Sequence, residues 1–262
     1  MGTSSHNPGQ NGHSPMVPSW VDDEQEVIPA IATPIDPNAD SERFSDPRGN
    51  MTRFARTGRY DNLRHAASQY VKHSVGGAHN AFQRLGLARH NTAILVGAVG
   101  AYSLGGAAGV QEYLKTYDLI GKRADEALRS ITDLICSDGG TTNEGIVRDA
   151  YIDTIAETPE LRSVNFEELT PAQLMIVLQG CITRVVIGRL LNDIGNKVLT
   201  VPESLQNIKN LKDRVITFVN GVVSDSFTRL NIHPDNIHQH ETQELTNSVY
   251  FQVYEIFAEE KE

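Results

Sequence analysis

Seven of the eleven prolines fall within the first fifty residues, at Pro8, Pro15, Pro18, Pro29, Pro34, Pro37 and Pro47. Proline donates no backbone hydrogen bond and fixes φ, so neither a helix ladder nor a central strand runs through such a stretch. The same residues show no apolar periodicity. A segment that buries so little apolar surface cannot offset its ordering entropy. The sequence therefore predicts a disordered, proline-rich leader over residues 1–50 and a basic linker over 51–60. A folded domain then runs over 61–262, with a candidate sub-boundary near residue 120.

Beyond residue 60 the apolar spacing is helical. Leu63, Ala66, Ala67, Tyr70 and Val71 recur at three and four, which places them on one face. Gly76-Gly77 breaks that helix, and Ala78, Phe82 and Leu85 continue on a short second one ended by Gly86. Residues 122–136 form an amphipathic helix with Ala124, Leu128, Ile131, Leu134 and Ile135 inward. Thr141 and Glu144 have capping-box spacing before a helix that carries Ile146, Val147, Ala150, Tyr151, Thr154 and Ile155 and stops at Pro159. Thr170-Pro171, with Gln173 at box spacing, opens the most apolar helix, which should be central. Pro202 opens another, His233-Pro234 interrupts, and 241–259 form a last acidic helix. No run alternates as a half-buried strand does. The fold class is all-α, a helical bundle.

Residues 92–110 contain no charge, and nineteen such residues approach the length of a membrane span. Five of them are glycine, however, and Gly105-Gly106 interrupts the run. The spacing predicts a buried helix, a glycine turn and a second helix from about Ala107, brought close by the glycines. No membrane span is expected.

Formal charge is −10 but unevenly distributed. Between Arg43 and His90, nine Lys/Arg face only Asp46 and Asp61, leaving +7 there and −17 elsewhere. Such a block binds phosphates or clamps acidic protein. Arg53, Arg56, Arg59 and Arg64 are its candidate contact surface, and a nucleic-acid-binding adaptor using 43–90 is the alternative function. Aromatic residues are not interleaved as single-strand binding needs. Cys136 and Cys181 have no secretory signal ahead of them and read as buried, reduced thiols in a cytoplasmic protein. No local motif supplies a base for either, so no catalytic residue is assigned and an enzyme is the least expected class.

Three polar clusters have structural readings. His233, His238, His240 and Glu241 lack helical ligand spacing and read as a loop rather than a metal site. Asp138-Gly139-Gly140-Thr141-Thr142 lacks the lysine and preceding strand of a phosphate loop, and reads as a helix end joined to a helix start. Asp193, near the end of the central helix, is expected to pair with Arg64 or Arg84. No cofactor or metal is expected.

The leader holds the chain's single tryptophan, in Val17-Pro18-Ser19-Trp20-Val21. With no core of its own to fill, Trp20 marks a partner-docking segment. Gly2 should lose its initiator methionine, and His6 stands where the myristoylation pattern wants Ser or Thr. An α-amine has a pKa near 8, against about 10.4 for lysine, so more of it is neutral and nucleophilic at pH 7. A flexible leader of about 45 residues has a root-mean-square reach of roughly 35–40 Å.

Five segments together resemble the QatB family of the Qat anti-phage defence system. These are Met1-Gly-Thr-Ser-Ser5, Val17-Pro-Ser-Trp20, Phe54-Ala-Arg-Thr-Gly58, Cys136-Ser-Asp-Gly-Gly-Thr-Thr-Asn-Glu-Gly145 and Asn192-Asp-Ile-Gly-Asn-Lys197. They occur in order between residue 1 and about residue 230. The resemblance implies a non-catalytic accessory subunit that works with an ATPase (QatA), a QueC-like enzyme (QatC) and a TatD-like nuclease (QatD). QueC-like enzymes activate a 7-deazaguanine carboxylate with ATP for attack by an amine. The resemblance therefore implies that Gly2 is the modified amine, with the protein serving as substrate of its QatC-like partner.

Overall fold

A computed structural model of the chain describes residues 42–136, 142–194, 205–238 and 240–259. Gly2, the Val17–Val21 segment, Thr141, the 137–140 loop, 195–197 and Pro202 lie outside the described residues.

The described residues form α1 (Ser45–Thr57), α2 (Tyr60–Gln69), α3 (Ala78–Gln83), α4 (Leu87–Leu114), α5 (Ala124–Ile135), α6 (Thr142–Ala156), α7 (Pro171–Ile194), α8 (Leu205–Arg229) and α9 (Thr242–Glu259). No strand occurs among them; one isolated bridge joins Arg123 and Asn165. The chain is all-α, as its periodicity dictates. α7 packs on α4, α6 and α8, so it is central as expected. α9 shares that position: it packs on α2, α3, α4 and α8 and buries Tyr250, Val253, Tyr254 and Phe257. The predicted capping box starts α7. Thr170 Oγ1 accepts from the Gln173 amide at 3.2 Å, and Gln173 Oε1 accepts from the Thr170 amide at 2.8 Å.

Helical order begins before residue 51, and the expected linker is part of the core. Pro47, Met51 and Phe54 recur at four and three along α1 and are buried, with Met51 and Phe54 fully so. The arginines and threonines between them hide this stripe in the composition. Gly58, at φ +66, ends α1 as a left-handed cap and turns the chain into α2. The Arg214 guanidinium from α8 donates to the Gly58 carbonyl and lies 4.7 Å from the Tyr60 ring centroid. The stretch near residue 120 joins rather than divides. Tyr102 on α4 donates to the Phe166 and Leu169 carbonyls beyond α6, at 2.9 and 2.7 Å. Leu134 is a second correction: it is exposed. It lies at the edge of the stripe set by Ala124, Leu128, Ile131 and Ile135 on α5.

The uncharged segment is a hairpin. Within α4, Gly106 adopts φ +58 and ψ −148 and interrupts the helix. A methyl placed on Gly109 would strike the Ala101 carbonyl, and one on Gly97 would strike the Tyr113 ring. In a straight helix those pairs would be about 12 and 24 Å apart along the axis. Residues 107–114 therefore fold back along 97–105. Among the described residues two helices, α4 and α7, are long and apolar enough to cross a membrane by length and composition, and about three-fifths of each apolar window is buried inside the protein. For α4 the fold-back removes the length that a span needs.

The hairpin makes a pairwise prediction. Gly109→Ala meets backbone that cannot yield cheaply and should cost about 1–3 kcal/mol in urea denaturation. Gly105→Ala, with nothing within 4 Å, should be neutral or stabilise by up to about 1 kcal/mol. Equal effects would show that the two arms do not touch.

Candidate interaction surfaces

The basic block is mixed: Arg84 and Arg89 are half-buried, and Arg48 is exposed. Arg48 Nε donates to the Ile194 carbonyl at the end of α7, at 2.8 Å. Arg84 is half-buried against Asp193, and Arg89 lies over the Phe82 ring. The four arginines singled out from the sequence remain outside, on α1, α2 and the turn between them. Arg53 bonds Asn50, Arg59 and Arg64 pair with Asp61, and Arg56 is exposed. They form a short arginine surface rather than one continuous stripe through residue 90.

Asp193 is the centre of a buried polar network. Its carboxylate is 3% exposed and accepts both Nε and Nη2 of Arg84, at 2.9 and 3.0 Å. Arg189, one turn earlier on α7, donates through Nε at 3.3 Å and through Nη2. The Tyr70 hydroxyl donates at 2.7 Å. Arg189 also donates to Asn143 on α6 at 2.8 Å, and Asn143 donates to the Arg84 carbonyl at 3.4 Å. Burial alone would raise the Asp193 pKa, but the Arg84 hydrogen bonds and the Arg189 charge outweigh it and hold the carboxyl below its ordinary value. Burial, with the carboxylate beside it, pushes the Tyr70 phenol well up. Of the two expected partners, Arg84 is the true one and Arg64 turns to Asp61. Tyr70, Arg189 and Asn143 carried no signal in the sequence, because their pairing depends on how four segments meet.

The cysteines are inert at neutral pH. Burial pushes the Cys136 thiol up to about 11 and the Cys181 thiol up to about 12. Of the histidine group, His233 faces Asn231, His238 stacks on His240, and His240 meets Glu241 at 3.3 Å. Among the described residues no three His, Cys, Asp or Glu gather with metal-ligand geometry.

A cleft of about 280 Å³ opens between α6, α7 and α8. Ala150, Ile187, Leu191 and Val215 form its apolar floor, deepened where Ile146 packs directly on Gly188. Asp149, Asp153 and Glu157 line one wall at helical i, i+4 spacing, and Arg184 crosses to Glu157 at 2.6 Å. That spacing was readable in the sequence, but the cleft depends on how α8 sits.

These features describe a helical body whose ionisable interior is committed to holding it together. A model of the family described as Qat anti-phage system associated protein QatB matches residues 76–257, which run from the Gly76-Gly77 break through most of α9. The chain belongs to the QatB family. No curated protein and no solved structure matches it. Within the matched span lie Arg84, Asn143, Arg189, Asp193 and the whole cleft. The leader, α1 and α2 precede it, so three of the five resembling segments are outside the match. Membership carries a role in Qat anti-phage defence.

The network predicts both stability and its pH dependence. Asp193→Asn leaves two arginines without their counter-charge and should cost roughly 3 kcal/mol. The native Asp193 contribution is complete above the unfolded aspartate pKa of about 3.9. It fades as pH falls from there through the lower folded value. Urea melts of the native chain should show this acid loss, and Asp193→Asn should lack that component. An unchanged acid profile in the variant would assign the loss to other carboxylates.

Proposed function

We propose that the chain is a non-catalytic accessory subunit of the Qat system that works in the cytoplasm and serves as the protein substrate of a QueC-like partner. Membership of the QatB family supports the defence role in this reading. The body supports it: its buried acid is locked by two arginines and its thiols are held protonated. The reactive group is then sought in the leader. Gly2 offers an amine more nucleophilic at pH 7 than lysine. The partner would activate a 7-deazaguanine carboxylate with ATP. The amine attacks that acyl carbon, an amide bond forms, the activating group leaves, and the amine proton passes to solvent. Val17, Pro18, Ser19, Trp20 and Val21 are the segment assigned to hold the enzyme while Gly2 enters it. The ATPase and the nuclease of the system are the further partners of this assembly.

The alternative, a nucleic-acid adaptor, would rest on Arg53, Arg56, Arg59 and Arg64. Its mark is affinity that falls steeply with salt. Arg84 is engaged by Asp193 and Arg89 by the Phe82 ring, which shortens the free arginine surface and favours the substrate reading.

Intact-mass analysis of the chain co-expressed with its QueC-like enzyme should show one acyl addition, localised to Gly2 by fragmentation. An unmodified amine in cells protected against phage would contradict the proposal. Trp20→Ala should weaken capture of the enzyme at least tenfold while the melting temperature of the isolated chain stays unchanged. Undiminished capture would remove Trp20 from the docking role.

A further inference from the structure

Arg89 is the one cation of the basic block that burial penalises without a counter-charge. It sits in the first turn of α4, which contains no acidic residue. A helix start carries partial positive charge and disfavours a cation there. The guanidinium lies 4.3 Å from the Phe82 ring centroid, and Nε is buried with no hydrogen-bond acceptor. No carboxylate among the described residues pairs with it. Burial holds its pKa below the ordinary arginine value. Nε is sealed, so a counter-charge can reach only the outer edge of the guanidinium, from outside the described residues.

The surroundings are of the kind that dominates protein interfaces. Phe251 of α9 meets Phe82 edge-on at 6.3 Å and remains 39% exposed. The His79 ring stands 6.3 Å from Phe82. Arginine and aromatic side chains over a packed base are the usual hot-spot composition. The charge balance selects the occupant. Beside Phe251, α9 carries Glu244 and Glu255 and no Lys or Arg, while Glu259 is paired with Arg229 of α8. That flank repels a polyanion such as DNA but accepts a single carboxylate next to an apolar side chain.

We propose that His79, Phe82, Arg89 and Phe251 form a docking surface for another protein subunit of the Qat system. That subunit places an Asp or Glu on Arg89 and an apolar side chain on Phe251. The inference rests on family membership but not on Gly2 being modified.

The test uses the full chain co-expressed with the other Qat subunits. Arg89→Glu relieves an unfavourable helix-start charge, so the isolated variant should melt at or above the native temperature. It should nonetheless lower recovery of the assembly at least tenfold. Arg89→Gln, which removes the charge with little change in shape, and Phe251→Ser should each lower it several-fold, and Arg89→Lys should be intermediate. Intact mass on the same samples reads Gly2 separately, so failure of one reading leaves the other measurable. Full recovery with Arg89→Glu and Phe251→Ser overturns the proposal. So does binding of a 20-base-pair DNA duplex that Arg89→Glu abolishes, which would make the surface a phosphate site. A concentration-dependent dimer lost in Arg89→Glu would assign the surface to a second copy and overturn it equally.

Discussion

One buried carboxylate ties the body together. Asp193 stands near the end of the most apolar helix, where an ionised group is costly unless its lone pairs are filled. Arg84 comes from the turn after α3, Tyr70 from the end of α2 and Arg189 from α7 itself, while Asn143 on α6 bridges the two arginines. Each donor reaches Asp193 only when its own segment is in place. The network thus converts four separate helix packings into one condition. Apolar burial gives the body most of its stability, but it does not by itself choose one arrangement of the described helices. A bidentate arginine and a phenol on one buried acid narrow that choice.

Close backbone approach is the second constraint, and glycine sets it. Gly100 lies where a methyl would meet the Ile237 carbonyl at 2.7 Å, which lets the loop before α9 press against α4. Gly109 and Gly97 let the arms of the α4 hairpin touch. Glycine lowers helix propensity by about 1 kcal/mol relative to alanine. Five glycines in one uncharged segment therefore make sense only if packing compensates, and the hairpin supplies that packing.

The parts legible in the sequence were those fixed by local spacing. The all-α class, the glycine turn near Gly106 and the capping box at Thr170 follow from neighbours a few residues apart, while for Asp193 the sequence offered Arg64 or Arg84 without choosing between them. α1 was hidden because Pro47, Met51 and Phe54 are separated by arginines, so composition read as linker while spacing read as helix. Tyr70 and Asn143 gave no sign of their roles, since a buried hydroxyl or amide becomes informative only when its distant partner is known. The cleft wall at Asp149, Asp153 and Glu157 lay between these cases: its period was visible, its facing helix was not. Gly2 and Trp20 were singled out by chemistry rather than by spacing.

If Asp193 joins α2, α3, α6 and α7 into one cooperative unit, native-state hydrogen exchange of the full chain measures it directly. Buried amides in all four helices should exchange at one common free energy, equal to that of global unfolding. Protection in α2 and α3 that opens several kcal/mol below α6 and α7 would contradict the account, because those helices would then detach while Asp193 stayed buried.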